Sequence, residues 1–408
     1  MKIQELRSRF PQLKESVYGK PLVYLDNAAT SMRLDAVVDK WEQMSLKFNS
    51  NLHRAVHAMA SKATEEYESA RLATADFLNC SEKEIVFTSG ATDSLNLLAF
   101  SLGESAFFEE GDEILICEGE HHSDIVPWQM LANRKSLSIK VLPINANGEI
   151  ALSQLPELIG KRTKLCCVAH VSNVLGIINP VAEIARICHE KGCLLSVDGA
   201  QAVQHLKVDV RSLDCDFYSF SAHKMFAAPG VGVLYGKLGL LERLQPYQGG
   251  GEMIESVSWK GTSYAGVPHR FEAGTRNISS VPAIKPALVF LKDLFLDKEI
   301  IDYQENIIKY LLQELNSVPG LHLYGVPSDP SRKIPLFSFT VDGVHHEDLA
   351  LVMDKMGIAL RSGQMCAEPL MDRFGVSGML RASFAPYNSM EEAEYFTASL
   401  KKAISMLK

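Results

Sequence analysis

The chain has 408 residues, more than one ordinary hydrophobic core organises, so two domains are expected. Its 47% hydrophobic and 22% charged residues are those of globular material. A formal net charge of −8 argues against a general nucleic-acid binder and against a protein held on anionic membranes. At the N-terminus Ile3, Leu6, Phe10 and Leu13 fall at helical spacing, without the continuous apolar stretch of a signal peptide. No run reaches the roughly 18 apolar residues of a membrane-spanning helix, so the expected location is the cytoplasm. Eight cysteines without a CxxC spacing do not form a disulfide framework. Cys166, Cys167, Cys193 and Cys215 sit in or beside apolar, strand-like runs and read as small core residues.

From Ile85 onward the pattern alternates strand and helix. Ile85–Thr88, Glu113–Cys117, Ile139–Leu142, Lys164–His170 and Cys193–Val197 read as strands, with helical stretches such as Val181–Lys191 between them. This alternation predicts an α/β fold with a mostly parallel central sheet and helices on both faces. Gly232–Gly236 follows Lys224 too closely for a helical crossover, so that strand is expected to run antiparallel. Ile284–Leu315 reads as one long helix. Strand-like segments at 321–324 and 336–341 and helices near 346–356 and 390–407 complete a smaller α+β unit. The expected division is a large domain over 20–285 and a small C-terminal domain over 286–408, with an N-terminal helix within 1–19 packed on the latter.

Four places carry chemistry. In Thr88-Ser89-Gly90-Ala91-Thr92-Asp93-Ser94 a strand passes into a helix through small residues. Backbone N–H groups near Ala91, the helix dipole and the Thr92 hydroxyl can there receive a phosphate, although many such turns only cap helices. The stretch does not match nucleotide-binding glycine patterns. Tyr218-Ser219-Phe220-Ser221-Ala222-His223-Lys224 runs a core strand into a polar turn ending on lysine. A lysine there is costly to desolvate as a cation, and its neutral amine is a nucleophile. Leu194–Asp198 is a second core strand, ending on an acid. Lys224 as a Schiff-base amine and Asp198 opposite a pyridine nitrogen are what pyridoxal phosphate needs. Ser221 and His223 can donate to the same phosphate. Taken singly, Lys224 reads as a surface lysine in a turn and Asp198 as an acid at a strand end; the two together, with the neighbouring features, favour the cofactor reading.

Glu120-His121-His122-Ser123-Asp124 suggests a metal first, but adjacent histidines point apart and no third ligand stands at helical spacing, so no metal is expected. A His121 ring stacked on an aromatic cofactor and an ordinary hydrogen-bonded histidine both remain open. Cys366 lies in a polar, glycine-containing loop after Arg361, where a thiolate is favoured; an incidental loop cysteine is the alternative. Arg381, in a strand-like setting, can grip a substrate carboxylate with two parallel hydrogen bonds or form an ordinary ion pair.

Ser221-Ala222-His223-Lys224, Val197-Asp198-Gly199-Ala200-Gln201 and Arg361 through Cys366 resemble the aminotransferase class V proteins of pyridoxal-phosphate fold type I, and more closely the group II (Suf-type) cysteine desulfurases. The likeness runs from Tyr24-Leu25-Asp26-Asn27-Ala28-Ala29 to Arg381-Ala382-Ser383. The resemblance implies that Lys224 carries the cofactor, His121 stacks on its ring, Asp198 pairs with the ring nitrogen and Gln201 meets its phenolic oxygen. It assigns the phosphate to Thr92, Ser221 and His223, and to Thr275 reaching from the partner of a homodimer. Asn173 and Arg381 would hold the substrate carboxylate, and Arg54 would approach across the interface. Gly249–Met253 and the following hairpin resemble the interface latch of this group. The implied reaction takes L-cysteine to L-alanine, with persulfide sulfur on Cys366 passed to a sulfur-acceptor protein in iron–sulfur cluster assembly. Gln364-Met365 stands where many members carry two histidines, which leaves selenocysteine lyase and cysteine sulfinate desulfinase as alternatives. A cofactor-free scaffold or sulfur-relay partner is the alternative from another class.

Overall fold

A computed structural model describes residues 2–53 and 56–408. Seven strands form the central sheet: β1 Ile85–Thr88, β2 Glu113–Cys117, β3 Ser138–Leu142, β4 Thr163–Ala169, β5 Leu194–Asp198, β6 Phe217–Ser221 and β7 Gly232–Gly236. Their order across the sheet is β1-β7-β6-β5-β4-β2-β3. The pairs from β6 to β3 are parallel, and β7 is antiparallel to both its neighbours, as its short connection requires. Because β7 is reversed, β1 runs the same way as β6. The carboxyl ends of β1, β2, β4, β5 and β6 therefore open on one edge of the sheet, where open α/β folds bind ligands.

Strands covered on both faces read as unbroken apolar runs, and every residue of β1, β6 and β7 is buried. Helix α1, Ala58–Leu78, buries Ala60, Ala63, Tyr67, Ala70, Arg71, Thr74 and Ala75 at the three- and four-residue spacing of one helical face. Arg71 on that face is sealed inside. Its guanidinium meets both carboxylate oxygens of Glu272 at 2.8 Å, and Glu272 also accepts the Phe87 N–H at 2.7 Å. Arg71 further lies 4.8 Å from the centre of the Phe87 ring. One buried ion pair thus fixes α1, strand β1 and the loop before Thr275 together.

Ile284–Leu315 is two helices rather than the one expected: α2 Ile284–Leu294 and α3 Lys298–Asn316. Asp297 ends the first pattern by capping the second helix, accepting the N–H groups of Glu299 and Ile300. The apolar spacing continues through the break, which is why periodicity alone reads it as continuous. A second core gathers Ile307, Leu311 and Leu315 of α3 with Phe337, Phe339, Leu380, Phe396 and Leu400. It lies on an antiparallel sheet whose strands β8 Leu321–Tyr324, β9 Leu336–Val341, β10 Arg361–Gly363 and β11 Met379–Ser383 run in the order β8-β9-β11-β10.

The N-terminal segment touches both cores. Its helix is short, Ile3–Ser8; Leu6 and Phe10 join the larger core, and Arg7 donates to Tyr387 O and Glu392, each at 2.7 Å. Val23 and Leu25 belong to the second core, and Val23–Tyr24 pairs in parallel with Ile358–Ala359. That pairing delivers Asp26 next to β11. Among the described residues no helix is long and apolar enough to cross a membrane. Arg71 also pairs with Glu68 at 2.8 Å, so removing the Arg71 charge strands Glu272, whereas removing the Glu272 charge leaves Arg71 one carboxylate. Arg71→Met is expected to lose about 3–5 kcal/mol of stability in urea titrations, Glu272→Gln less because Glu68 still faces Arg71, and the double variant less than their sum.

Candidate active site

A cavity of about 350 Å³ opens at the carboxyl edge of the central sheet. Strand β5 brings Asp198 to its floor, β6 and the following turn bring Ser221, His223 and Lys224, and the start of the helix Ala91–Glu104 brings Ala91 and Thr92. From the second unit come Arg361, Cys366 and Arg381. Residues distant in sequence thus share one cavity because strand ends and the β10–β11 region converge there.

At one end is an anion cradle. Ala91 N–H donates to Ser221 Oγ at 2.7 Å, and the Thr92 and Ser123 hydroxyls lie 2.7 Å apart. The Thr92 and Asp93 N–H groups follow at the helix start, without intrahelical acceptors. The backbone is tightly drawn: a Cβ on Gly232 would stand 2.4 Å from Gly90, so only glycine fits between β7 and the cradle. His223 borders it, with Nδ1 3.2 Å from Thr30 Oγ1, and burial lowers its pKa to about 4.

At the other end is the acid. Asp198 accepts the Ala200 N–H at 2.8 Å, and burial raises its pKa. Lys224 moves the opposite way: burial lowers its pKa, against the pull of Asp198. His121 is neutral, lowered to about 4 by burial and then by Lys224. Its Nδ1 accepts the Ser123 N–H at 3.0 Å, so the ring proton resides on Nε2. Gln201 lines the cavity with Nε2 on Ala28 O at 2.7 Å.

The carboxylate end is built around Arg381. It is buried, donating to Asn173 O at 2.8 Å and Asp26 Oδ1 at 3.2 Å, while its Nε has no partner. Asn173 spends its Nδ2 on Met365 O at 2.8 Å, so its amide holds the Cys366 loop. Met365 and Cys366 both adopt φ of 56°, the left-handed region that non-glycine residues seldom enter. Cys366 is exposed; the other cysteines are buried or half-buried.

Thr275 does not reach this cavity. It lies in another of about 240 Å³ beside His53, His269 and Arg276. Arg54 lies outside the described residues. The exposed hairpin Ile254–Ser258 with Gly261–Tyr264 follows the glycines at 249–251. Among the described residues no group of three His, Cys, Asp or Glu side chains is placed to hold a metal ion.

Sequence reading gives no role to Asp26, Ser123, Glu120 or Asp124. Asp26 pairs with Arg381, and Ser123 with Thr92, only through tertiary contact. Glu120 and Asp124 are buried behind Asp198. Glu120 accepts the Ala169 N–H at 2.8 Å, and Asp124 accepts the Trp128 indole at 2.7 Å. Burial pushes both carboxyls well up, and the Asp198 charge adds to it. Their remaining oxygens lack any N–H or hydroxyl donor, which a proton held between the two acids supplies.

The cavity suits a ligand with a phosphate at one end, a protonated ring nitrogen at the other and a carbonyl within reach of an amine. The cradle answers the first, Asp198 needs the second as a cationic partner in its buried setting, and Lys224 answers the third. Fold and site together define a class: the family described as Aminotransferase class-V matches residues 23–396, and the chain belongs to it. Among relatives, the chain is 43% identical to a cysteine desulfurase of Dickeya dadantii over 99% of this chain and 97% of that one. It is 40% identical to a probable cysteine desulfurase of Vibrio cholerae over the full length of both. Among solved structures it is similar to the Escherichia coli cysteine desulfurase CsdA in its S-sulfonic acid form, with TM-score 0.90, 35% identity and full coverage of both chains. The apo cysteine desulfurase of Thermococcus onnurineus NA1 superposes with TM-score 0.91 at 36% identity, covering 98% of this chain and 99% of that one.

The proton-sharing pair has a testable signature. Asp124→Asn keeps an N–H for Glu120 and is expected to change stability by less than about 1 kcal/mol. Asp124→Ala strands Glu120 and the Trp128 indole and is expected to cost about 1–3 kcal/mol for each, read from urea midpoints.

Proposed function

We propose that this chain is a pyridoxal-phosphate-dependent cysteine desulfurase of the group II type, active as a homodimer in the cytoplasm. It converts L-cysteine to L-alanine and leaves the sulfur on Cys366 for an acceptor protein in iron–sulfur cluster assembly. The observation that carries this reading is that Cys366, on a loop after β10, lines the same cavity as Lys224 and Asp198 of the central sheet. The full-length relatives named as cysteine desulfurases support it.

Lys224, His121, Asp198, Gln201, Thr92, Ala91, Ser221 and His223 would hold the cofactor. When bound, pyridoxal phosphate supplies an electron sink conjugated to the substrate's amino carbon. The chain's own groups do the rest. Arg381, whose side chain lines the cavity, binds and orients the substrate carboxylate, with Arg361 at the rim. Lys224, whose amine burial shifts toward neutrality, takes and returns a proton at the substrate Cα. Neutral His121 keeps its proton at Nε2 on the cavity wall. The Cys366 thiolate bonds to the substrate sulfur. The substrate C–S bond breaks, its electron pair stays with carbon, and a proton on that carbon completes alanine. Thr275 and Arg54 would serve the partner's site, because Thr275 lies apart from Lys224 in its own chain. The exposed hairpin with Trp259 at its turn is the surface we assign to that dimer contact.

Anaerobic incubation with L-cysteine is expected to add the mass of one sulfur atom to the Cys366 peptide. Cys366→Ala is expected to retain the cofactor absorbance and to lose at least about a hundredfold in desulfurase activity, the scale on which catalytic nucleophiles act. Full activity in that variant overturns the role of Cys366. Lys224→Ala is expected to abolish the visible-edge absorbance of the bound cofactor, which a scaffold or relay protein would never show. Release of sulfide from cysteine is expected to exceed release of sulfite from cysteine sulfinate or selenide from selenocysteine; the reverse order selects one of the other two activities.

A further inference from the structure

His122 stands next to His121 in sequence but faces away from the cavity toward the Cys366 loop. Its N–H donates to Cys366 O at 2.8 Å. Its Nε2 lies 3.1 Å from the Glu368 N–H, which it accepts. Glu368 opens the helix Glu368–Phe374, whose N-cap residue, Ala367, offers no side-chain cap. An uncapped helix start leaves N–H groups in need of acceptors. His122 supplies one from a different part of the chain. This requires a neutral imidazole with its proton on Nδ1.

The segment so held is strained. Met365 and Cys366 are consecutive left-handed residues, neither of them glycine. Such a turn persists only when its surroundings fix it. Asn173 fixes one side through Met365 O, and the buried side chains of Met365 and Ala367 anchor the flanks. His122 fixes the other side with two hydrogen bonds around the exposed Cys366. Its neighbour His121 is tied in turn to Ser123, and Ser123 to Thr92 of the anion cradle.

We infer that His122 is a positioning residue for the sulfur-accepting thiol: it caps the Glu368–Phe374 helix in trans and thereby holds the strained turn that presents Cys366 to the cavity. The inference rests on the reading of Cys366 as the sulfur acceptor. With the side chain gone, the turn relaxes, Cys366 spends more time in solvent and less time at the substrate sulfur. Glutamine places an amide oxygen near the position of Nε2 and restores the acceptor.

The test uses holoenzyme of the wild type, His122→Ala and His122→Gln. Two rates are followed by mass: alkylation of Cys366 by iodoacetamide without substrate, and formation of the Cys366 persulfide in a single turnover with L-cysteine. His122→Ala is expected to alkylate about three- to tenfold faster and to form persulfide slower by a similar factor, the scale set by one hydrogen bond, with cofactor absorbance unchanged. His122→Gln is expected to return both rates to within about twofold of wild type, a margin below that single-bond scale. Unchanged rates in His122→Ala, or a His122→Gln variant as altered as His122→Ala, overturn the inference. If the alanine variant yields no folded holoenzyme, the glutamine variant decides, because wild-type rates there support the acceptor role and alanine-like instability opposes it. Absence of persulfide in the wild type would defeat the reading of Cys366 while leaving the alkylation comparison intact.

Discussion

The hydrogen-bonded relay from Asp26 through Arg381 and Asn173 to Met365 is the constraint on which the active cavity depends. Arg381 is buried on a strand of the smaller sheet, Asp26 belongs to the N-terminal crossing segment, Asn173 follows a strand of the central sheet, and Met365 precedes the exposed thiol. A guanidinium cannot be buried without partners at tolerable cost. Satisfying it therefore draws three distant segments to one point, and the Asn173 amide adds the cysteine loop as a fourth. The guanidinium so held lines the cavity, where a substrate carboxylate would meet it. Stability and substrate binding draw on the same cation.

Around that point the chain sets pKa values in opposite directions. Burial lowers Lys224, His121 and His223 and raises Asp198, Glu120 and Asp124. Each shift favours the neutral form in a cavity walled by strand ends. Groups so placed hold protons loosely or tightly against their usual habits, which is the condition for moving a proton at a chosen atom. The acid pair Glu120–Asp124 belongs to this arrangement although it does not reach the cavity. It backs the loop that carries His121 and His122.

Much of the fold was legible because the signals were local. The strands of the central sheet are short apolar runs bounded by turns, and the reversed strand after Lys224 followed from a connection too short to cross over. The helix over 284–315 was misread as continuous because its apolar spacing passes unbroken across Phe295-Leu296-Asp297; only the cap made by Asp297 marks the interruption. The N-terminal helix is expected on the smaller unit, whereas Leu6 and Phe10 join the larger core and Arg7 alone reaches the C-terminal helix, at Glu392. Among site residues, Lys224, Asp198, His121 and Cys366 announced themselves by type and setting. Ser123 and Asp26 did not, since a serine in a polar turn and an aspartate before Asn27 carry no signal until Thr92 and Arg381 are beside them.

The sequence by itself determined which chemistry the chain carries: a lysine and an acid at the ends of core strands, a small-residue turn into a helix, and a cysteine in a polar loop. Those are local properties, written in residue types and short spacings. Only the tertiary structure decided that Cys366 shares a cavity with Lys224, that Arg381 is buried against Asp26, that Asn173 is committed to the cysteine loop and that Thr275 stands apart. These depend on contacts between residues scores to hundreds of positions apart. Such contacts are fixed by the packing of two sheets and by the need to satisfy buried charges, which no local pattern records.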